Sequence, residues 1–220
     1  MRYVNANSLF FFSGQSSAAF QADVLTCSLY SHLAASKKYS AFDQVIDWRR
    51  QYFDVLTGFR CLIPHRENHT LSLEAGETPW RCLVRELGAR VSPALRETAE
   101  NTFIQLSSDT QSPALKLLEA QSIRTLSDEP GTYDVSLQIG FCDDAPAVTL
   151  GFLSFKTTSP VAGLPLAALL TEGHISEALE LSIISFEVDE HDFGYFRQAL
   201  IERLGSRRDE LIVKIPEVQV

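Results

Sequence analysis

Basic residues all but vanish from one long stretch of this chain. Between positions 125 and 196 there is one, Lys156, against 12 Asp or Glu. The rest of the 220 residues hold 16 acids and 18 bases, so the net charge of −9 is a local −11 set against +2. Affinity for a phosphate backbone needs clustered Lys and Arg. The short pairs Lys37-Lys38, Arg49-Arg50 and Arg207-Arg208 read as solvated helix or turn residues, so no nucleic-acid partner is expected. Methionine is equally scarce: one Met stands against 14 Phe, which points to a stiff aromatic core and away from an adaptable Met-lined groove. Four cysteines, Cys27, Cys61, Cys82 and Cys142, form no C-x-x-C. A chain of this size needs no disulfide to fold, so they read as buried free thiols, and a reducing compartment is favoured.

Long apolar runs are missing too. Leu9-Phe10-Phe11-Phe12 is shorter than the roughly 7–15 residues of a signal-peptide core. The run 161–170 is broken by Gly163 and Pro165, far from the roughly 20 residues of a membrane span. A soluble, cytoplasmic protein is expected, with export by a route that uses no cleaved signal as the alternative. The catalytic signatures are absent: no G-x-S-x-G elbow, no Walker loop, no G-x-G-x-x-G. The pattern leans away from an enzyme and implies no cofactor.

The chain does contain a change of register near residue 128. Before it, apolar residues recur at helical spacing. Phe20, Val24, Cys27, Leu29 and Leu33 form one stripe behind Ser16-Ser17, and Val45, Trp48, Tyr52, Val55 and Leu56 form another, ended by Gly58. Thr78-Pro79, Ser92-Pro93 and Ser112-Pro113 each place a hydroxyl at a helix N-cap and a proline at the first helical position, where it sacrifices no hydrogen bond. Helices are predicted over about 78–89, 92–107 and 112–126. A short strand is predicted over 59–63, and 65–76 reads as a loop or a hairpin arm.

After residue 128 the period becomes two. Tyr133, Val135, Leu137, Ile139 and Phe141 alternate with Asp134, Ser136, Gln138 and Gly140, the pattern of a strand with one wet face. Val148, Leu150 and Phe152 supply its partner across Asp143-Asp144-Ala145-Pro146, and the parity change at Leu153 predicts a bulge or burial on both faces. The run 164–171 fits a strand or a short helix. The stretch 179–188 predicts another strand with a bulge, Asp189 opens a last helix closed by Gly205, and 211–215 ends the set. The fold class that follows is α+β: an N-terminal helical layer (about 16–126) packed on a C-terminal, mainly antiparallel sheet (about 131–218) with one late helix, as one unit over 1–220.

Three segments, Phe20-x-x-Asp23-Val24-Leu25, Leu33-Ala34-Ala35-Ser36-Lys37-Lys38-Tyr39 and Trp48-x-x-x-Tyr52-x-x-Val55-Leu56, resemble a family of bacterial proteins of about 200 residues. The last elements, from Phe186 through Leu204 to Ile215, are similar to that family's C-terminal end. The resemblance covers about a quarter of the chain through core-packing residues. It implies a bacterial origin and carries no activity or site residues across.

Candidate chemistry is sparse. His65 and His69 flank Glu67 and are the candidate metal ligands, but Pro64 and Thr70 suggest a loop, and the Glu is not where H-E-x-x-H puts it. Read blandly, they are a surface pair, and no metal is expected. His174 and His191 have no nucleophile that sequence can place beside them. Asp143, Asp144, Glu187, Asp189 and Glu190 form the densest acidic set and define a candidate binding face. The leading expectation is a non-enzymatic bacterial protein that binds a protein partner through an acidic sheet face. Two alternatives stand beside it: a membrane-active, toxin-like protein that uses the 133–155 hairpin, and an unrecognised hydrolase.

Overall fold

A computed structural model describes the chain except residues 75, 127, 130, 144–145, 159–165, 173–174, 176–177 and 217–220. The protein is α+β. Its strands are β1 (Arg2–Asn5), β2 (Ser8–Phe12), β3 (Leu62–Leu71), β4 (Ile123–Thr125), β5 (Tyr133–Cys142), β6 (Ala147–Thr157), β7 (Leu179–Glu187) and β8 (Ile212–Lys214). Its helices are α1 (Ala18–Ser36), α2 (Val45–Gly58), α3 (Pro79–Leu87), α4 (Pro93–Ser108), α5 (Pro113–Ser122), α6 (Leu166–Leu170), α7 (Glu190–Leu204) and α8 (Ser206–Leu211).

The strands form one eight-stranded sheet in the order β3-β7-β6-β5-β2-β1-β8, with β4 also on β5. Every pairing is antiparallel except β2 with β5. The sheet therefore draws strands from both halves of the chain. The predicted division into a helical half and a sheet half misses β1, β2 and β4 and catches β3 only as a short strand over 59–63 with a loop or hairpin arm after it, and the apolar run at Leu9–Phe12 is the inner strand β2, wholly buried.

Helices cover both sides of this sheet. Odd-numbered residues of β5, β6 and β7 share one face, and that face packs on α3, α4, α5 and α6 through Leu83, Phe103, Leu115 and Leu169. Even-numbered residues share the other, which packs on α1, α2 and α7 through Phe20, Trp48, Tyr52 and Phe193. Burial on two sides explains the parity change along β6 and β7: the β5–β6 and β6–β7 pairings run without a register shift, so at Leu153 the second of the two expectations holds, and the shift that β7 does show lies in its pairing with β3, between Leu62 and His65. Gly140 serves one close approach. A Cβ there would lie 2.4 Å from Cε1 of Phe10, so only glycine lets that ring lie against β5.

The helix starts follow their caps. Thr78, Ser92, Ser17 and Asp189 each accept a backbone N–H in the first turn. Ser112 makes no such bond, yet Pro113 still opens α5. Gly205 ends α7 with φ of +52°. Between α1 and α7, the carboxylate of Asp23, 1% exposed, takes two bonds from Arg197, of 2.7 and 2.6 Å. That bidentate pair fixes how the two helices cross, and it holds the Arg197 guanidinium above its usual range.

Candidate functional site

The hairpin β5–β6, with β7 beside β6, has two unlike faces. On the face toward α3–α6, Val135, Leu137, Ile139, Phe141, Leu153, Phe155, Leu179, Leu181 and Ile183 are interrupted only by uncharged residues until Glu187 at the end of β7. The opposite face splits along its length. One end is apolar, with Val148, Leu150, Phe152 and Phe186; the other carries Asp134, Ser136, Gln138, Ser154, Lys156, Glu180 and Ser182. β5 and β6 are 10 and 11 residues long. Those lengths and that alternation are what a strand needs to cross a bilayer with one face to lipid and one to water. They are also what a sheet between two helical layers needs.

A polar clasp ties the hairpin to its cover. The carboxylate of Asp143, just after β5, accepts the backbone N–H of Ser92 at 2.7 Å and its hydroxyl at 2.5 Å. Ser92 is the N-cap of α4, so Asp143 sits where the helix dipole favours an anion. The predicted hairpin tip is thus a strut against α4. Asp144 and His174 lie outside the described residues. Glu187 ends β7 opposite Leu62 and Ala147. Asp189 caps α7 through the amides of His191 and Asp192, and Glu190, in its first turn, accepts the Ser17 hydroxyl at 3.2 Å. The described members of the acidic set are spread over strand ends and a helix start, and of them only Glu187 stands on a sheet face, at the end of β7.

His65, Glu67 and His69 lie on β3, an edge strand, so of the two readings of 65–76, loop or hairpin arm, the strand is the nearer. Pro64 fits there because it falls in the register shift between Leu62 and His65, on an edge strand, where no ladder bond is asked of it. Period two puts all three side chains on one face, toward Arg90 and α3. His65 Nε2 stands 3.0 Å from one oxygen of Glu67, and His69 Nε2 stands 3.5 Å from the other and 3.8 Å from Glu86. The carboxylate thus separates the two rings. Among the described residues no group of three His, Cys, Asp or Glu could hold a metal ion. Burial acts to raise the Glu67 carboxyl, but the Arg90 charge and the two imidazoles outweigh it and hold it low.

Three buried groups escaped the sequence reading. Arg49, half of an apparently solvated pair, is 7% exposed beneath α2; its guanidinium lies 5.9 Å from the Phe152 ring and donates to the Glu180 carbonyl at 3.4 Å. Burial pulls it down to about 10. His32 of α1 is buried against Trp48 with Nδ1 unpartnered, and desolvation lowers it to about 4. Cys27 and Cys61 touch inside the core; burial, and the contact itself, push the Cys27 thiol well up. All four cysteines are free and buried, as expected. Their separation in sequence gave no sign of the contact.

No protein-family model and no curated protein sequence matches the chain. Solved structures similar to it include one titled delta-endotoxin, at 9% identity and a TM-score of 0.46, covering 84% of this chain and 81% of that one. Another is the activated Cyt2Ba monomer from Bacillus thuringiensis subsp. israelensis, at 10% identity and 0.48, covering 84% and 99%. A third is the Evf virulence factor, at 8% identity and 0.43, covering 92% and 77%.

The expectation of a partner-binding protein with an acidic sheet face is therefore corrected. Both sheet faces are covered by helices, and of the acids assigned to that face Asp143 clasps α4 and Asp189 caps α7. Among the described residues no helix is long and apolar enough to cross a membrane.

Proposed function

We propose that this is a membrane-active, toxin-like protein whose β5–β6 hairpin, with β7, enters a lipid bilayer once α3–α5 move aside. The observation that carries the reading is the apolar face of β5–β7, uncharged as far as Glu187 at the end of β7 and backed by polar residues along half of the opposite face, in strands of spanning length. In water that face must be covered, and α3–α6 cover it with apolar side chains, so α6 must leave with α3–α5. Lipid tails would replace the same contacts. The Asp143–Ser92 clasp is then the polar contact that opening must break.

Dye release from vesicles tests this. The protein is expected to empty dye-loaded vesicles in a concentration-dependent way. Asp143→Ala removes the clasp, worth about 1.5 kcal/mol as hydrogen bonds to a charged group, and should speed release roughly tenfold. If vesicles of neutral and of anionic lipid both keep their dye at micromolar protein, the reading fails.

A further inference from the structure

One cleft runs against the charge of the whole chain. It has a volume of about 550 Å³ and lies where the C-terminal ends of α1 and α7 meet, with Gln51 of α2 on its rim. Lys37, Lys38, Arg203 and Arg207 line it, and no acid does, in a protein of net charge −9. Among the described residues none of the four comes within 4 Å of a carboxylate. Lys38 donates to Gln51 Oε1 at 2.7 Å, Arg203 to the Tyr30 hydroxyl at 3.2 Å, and Arg207 to the Arg203 carbonyl at 3.3 Å. The floor is amphipathic: Tyr30, Leu33 and Leu204.

Cations at a helix C-terminus are ordinary, because the dipole favours them there. That accounts for Lys37 and Lys38 after α1 and for Arg203 in the last turn of α7. Arg207, though in the first turn of α8, reaches back to the Arg203 carbonyl in the last turn of α7 and is drawn there in the same way; what the dipoles leave unexplained is that all four cations line one cavity with no acid among its lining residues. The four exposed cations stand around one cavity with no internal counter-ion, an arrangement open to an anion from outside.

We infer that this cleft binds the headgroup of an anionic membrane phospholipid, the phosphate between the four cations and the start of the acyl chains on Tyr30, Leu33 and Leu204. Such a contact orients a protein whose net charge would otherwise be repelled by an anionic surface. The inference rests on the membrane reading above and deepens it.

Co-sedimentation with vesicles at low salt decides it. The protein is expected to bind vesicles of phosphatidylcholine with a quarter phosphatidylglycerol at least tenfold more tightly than vesicles of phosphatidylcholine alone. Lys38→Gln with Arg207→Gln should weaken the first by roughly 25-fold, about fivefold per charge. Arg50→Gln with Arg60→Gln makes the same charge change at exposed positions elsewhere and should weaken binding by no more than a few-fold. Glycerol phosphate at millimolar concentration should not displace the vesicles; if it does, the site is one for a free small phosphate, and the lipid assignment falls. Equal binding to the two vesicle types, or equal losses from the two double variants, would also overturn it. Tight binding without dye release would count against hairpin entry and leave the cleft standing. Release that ignores lipid charge would remove the cleft alone.

Discussion

Phe152→Ala is expected to destabilise the fold by about 4 kcal/mol, the middle of the range for emptying a buried aromatic site. Phe152 is 2% exposed, on the face of β6 toward α2. Its ring centroid lies 5.4 Å from those of Tyr52 and Phe53 and 6.3 Å from that of Trp48, all at edge-to-face angles, with the Arg49 guanidinium 5.9 Å away. Four side chains of one helix thus seat on a single ring. The hole cannot close, because the sheet behind is fixed by pairing to β5 and β7. Denaturant unfolding should show the midpoint falling at an unchanged slope, and the melting temperature should drop by roughly 10 °C. A loss below about 1 kcal/mol would mean that α2 is not anchored on β6.

The second large effect is a pH dependence lodged in His32. Its folded value of about 4 lies below the ordinary value of 6.5, and burial is the cause. Below 6.5 the unfolded chain takes up a proton that the folded protein refuses until about pH 4. Stability from this residue is therefore complete above pH 6.5, falls as the pH drops toward 4, and is flat below that. The total is about 3 kcal/mol. The edge of the His32 ring packs against Trp48, and no charged group contributes to the shift. His32→Phe keeps an aromatic ring there and removes the unpartnered Nδ1. Its advantage over the native protein should grow by about 3 kcal/mol between pH 7 and pH 4, with the carboxylates common to both cancelling. Parallel stability curves would show that His32 is not held neutral. The same proton would loosen α1 from α2, so dye release should quicken with acid in the native protein more than in the variant.

Local chemistry was legible in the sequence wherever it was decided locally. The hydroxyl-proline pairs at 78, 92 and 112 located three helices to within a few residues, Asp189 and Gly205 bracketed α7, and the alternation through Tyr133 to Phe141 described β5. What failed was decided across the fold. β1 and β2 are too short, and β2 too evenly buried, to show a period. Pro64 disguised β3 because an edge strand tolerates what an inner strand does not. The Asp143–Ser92 clasp spans 51 residues. The cleft joins Lys37 and Lys38 to Arg203 and Arg207, so each basic pair looked solvated when read alone. The acidic stretch misled in the opposite sense. Its density in sequence suggested a surface, whereas Asp143 is spent on a strut, Asp189 on a cap, and Asp134 on an ion pair with Arg124.

The most direct test of hairpin entry reads which face of the strands meets lipid. With the native cysteines replaced by alanine, an environment-sensitive fluorophore is attached in turn through Thr149→Cys and Phe155→Cys on the face toward α3–α6, and through Ser136→Cys and Ser154→Cys on the other. On addition of vesicles, the first two labels should brighten and be quenched by a quencher in the lipid tails, while the second two keep the emission they have in water. The same response at all four sites, or none at any, would contradict the account.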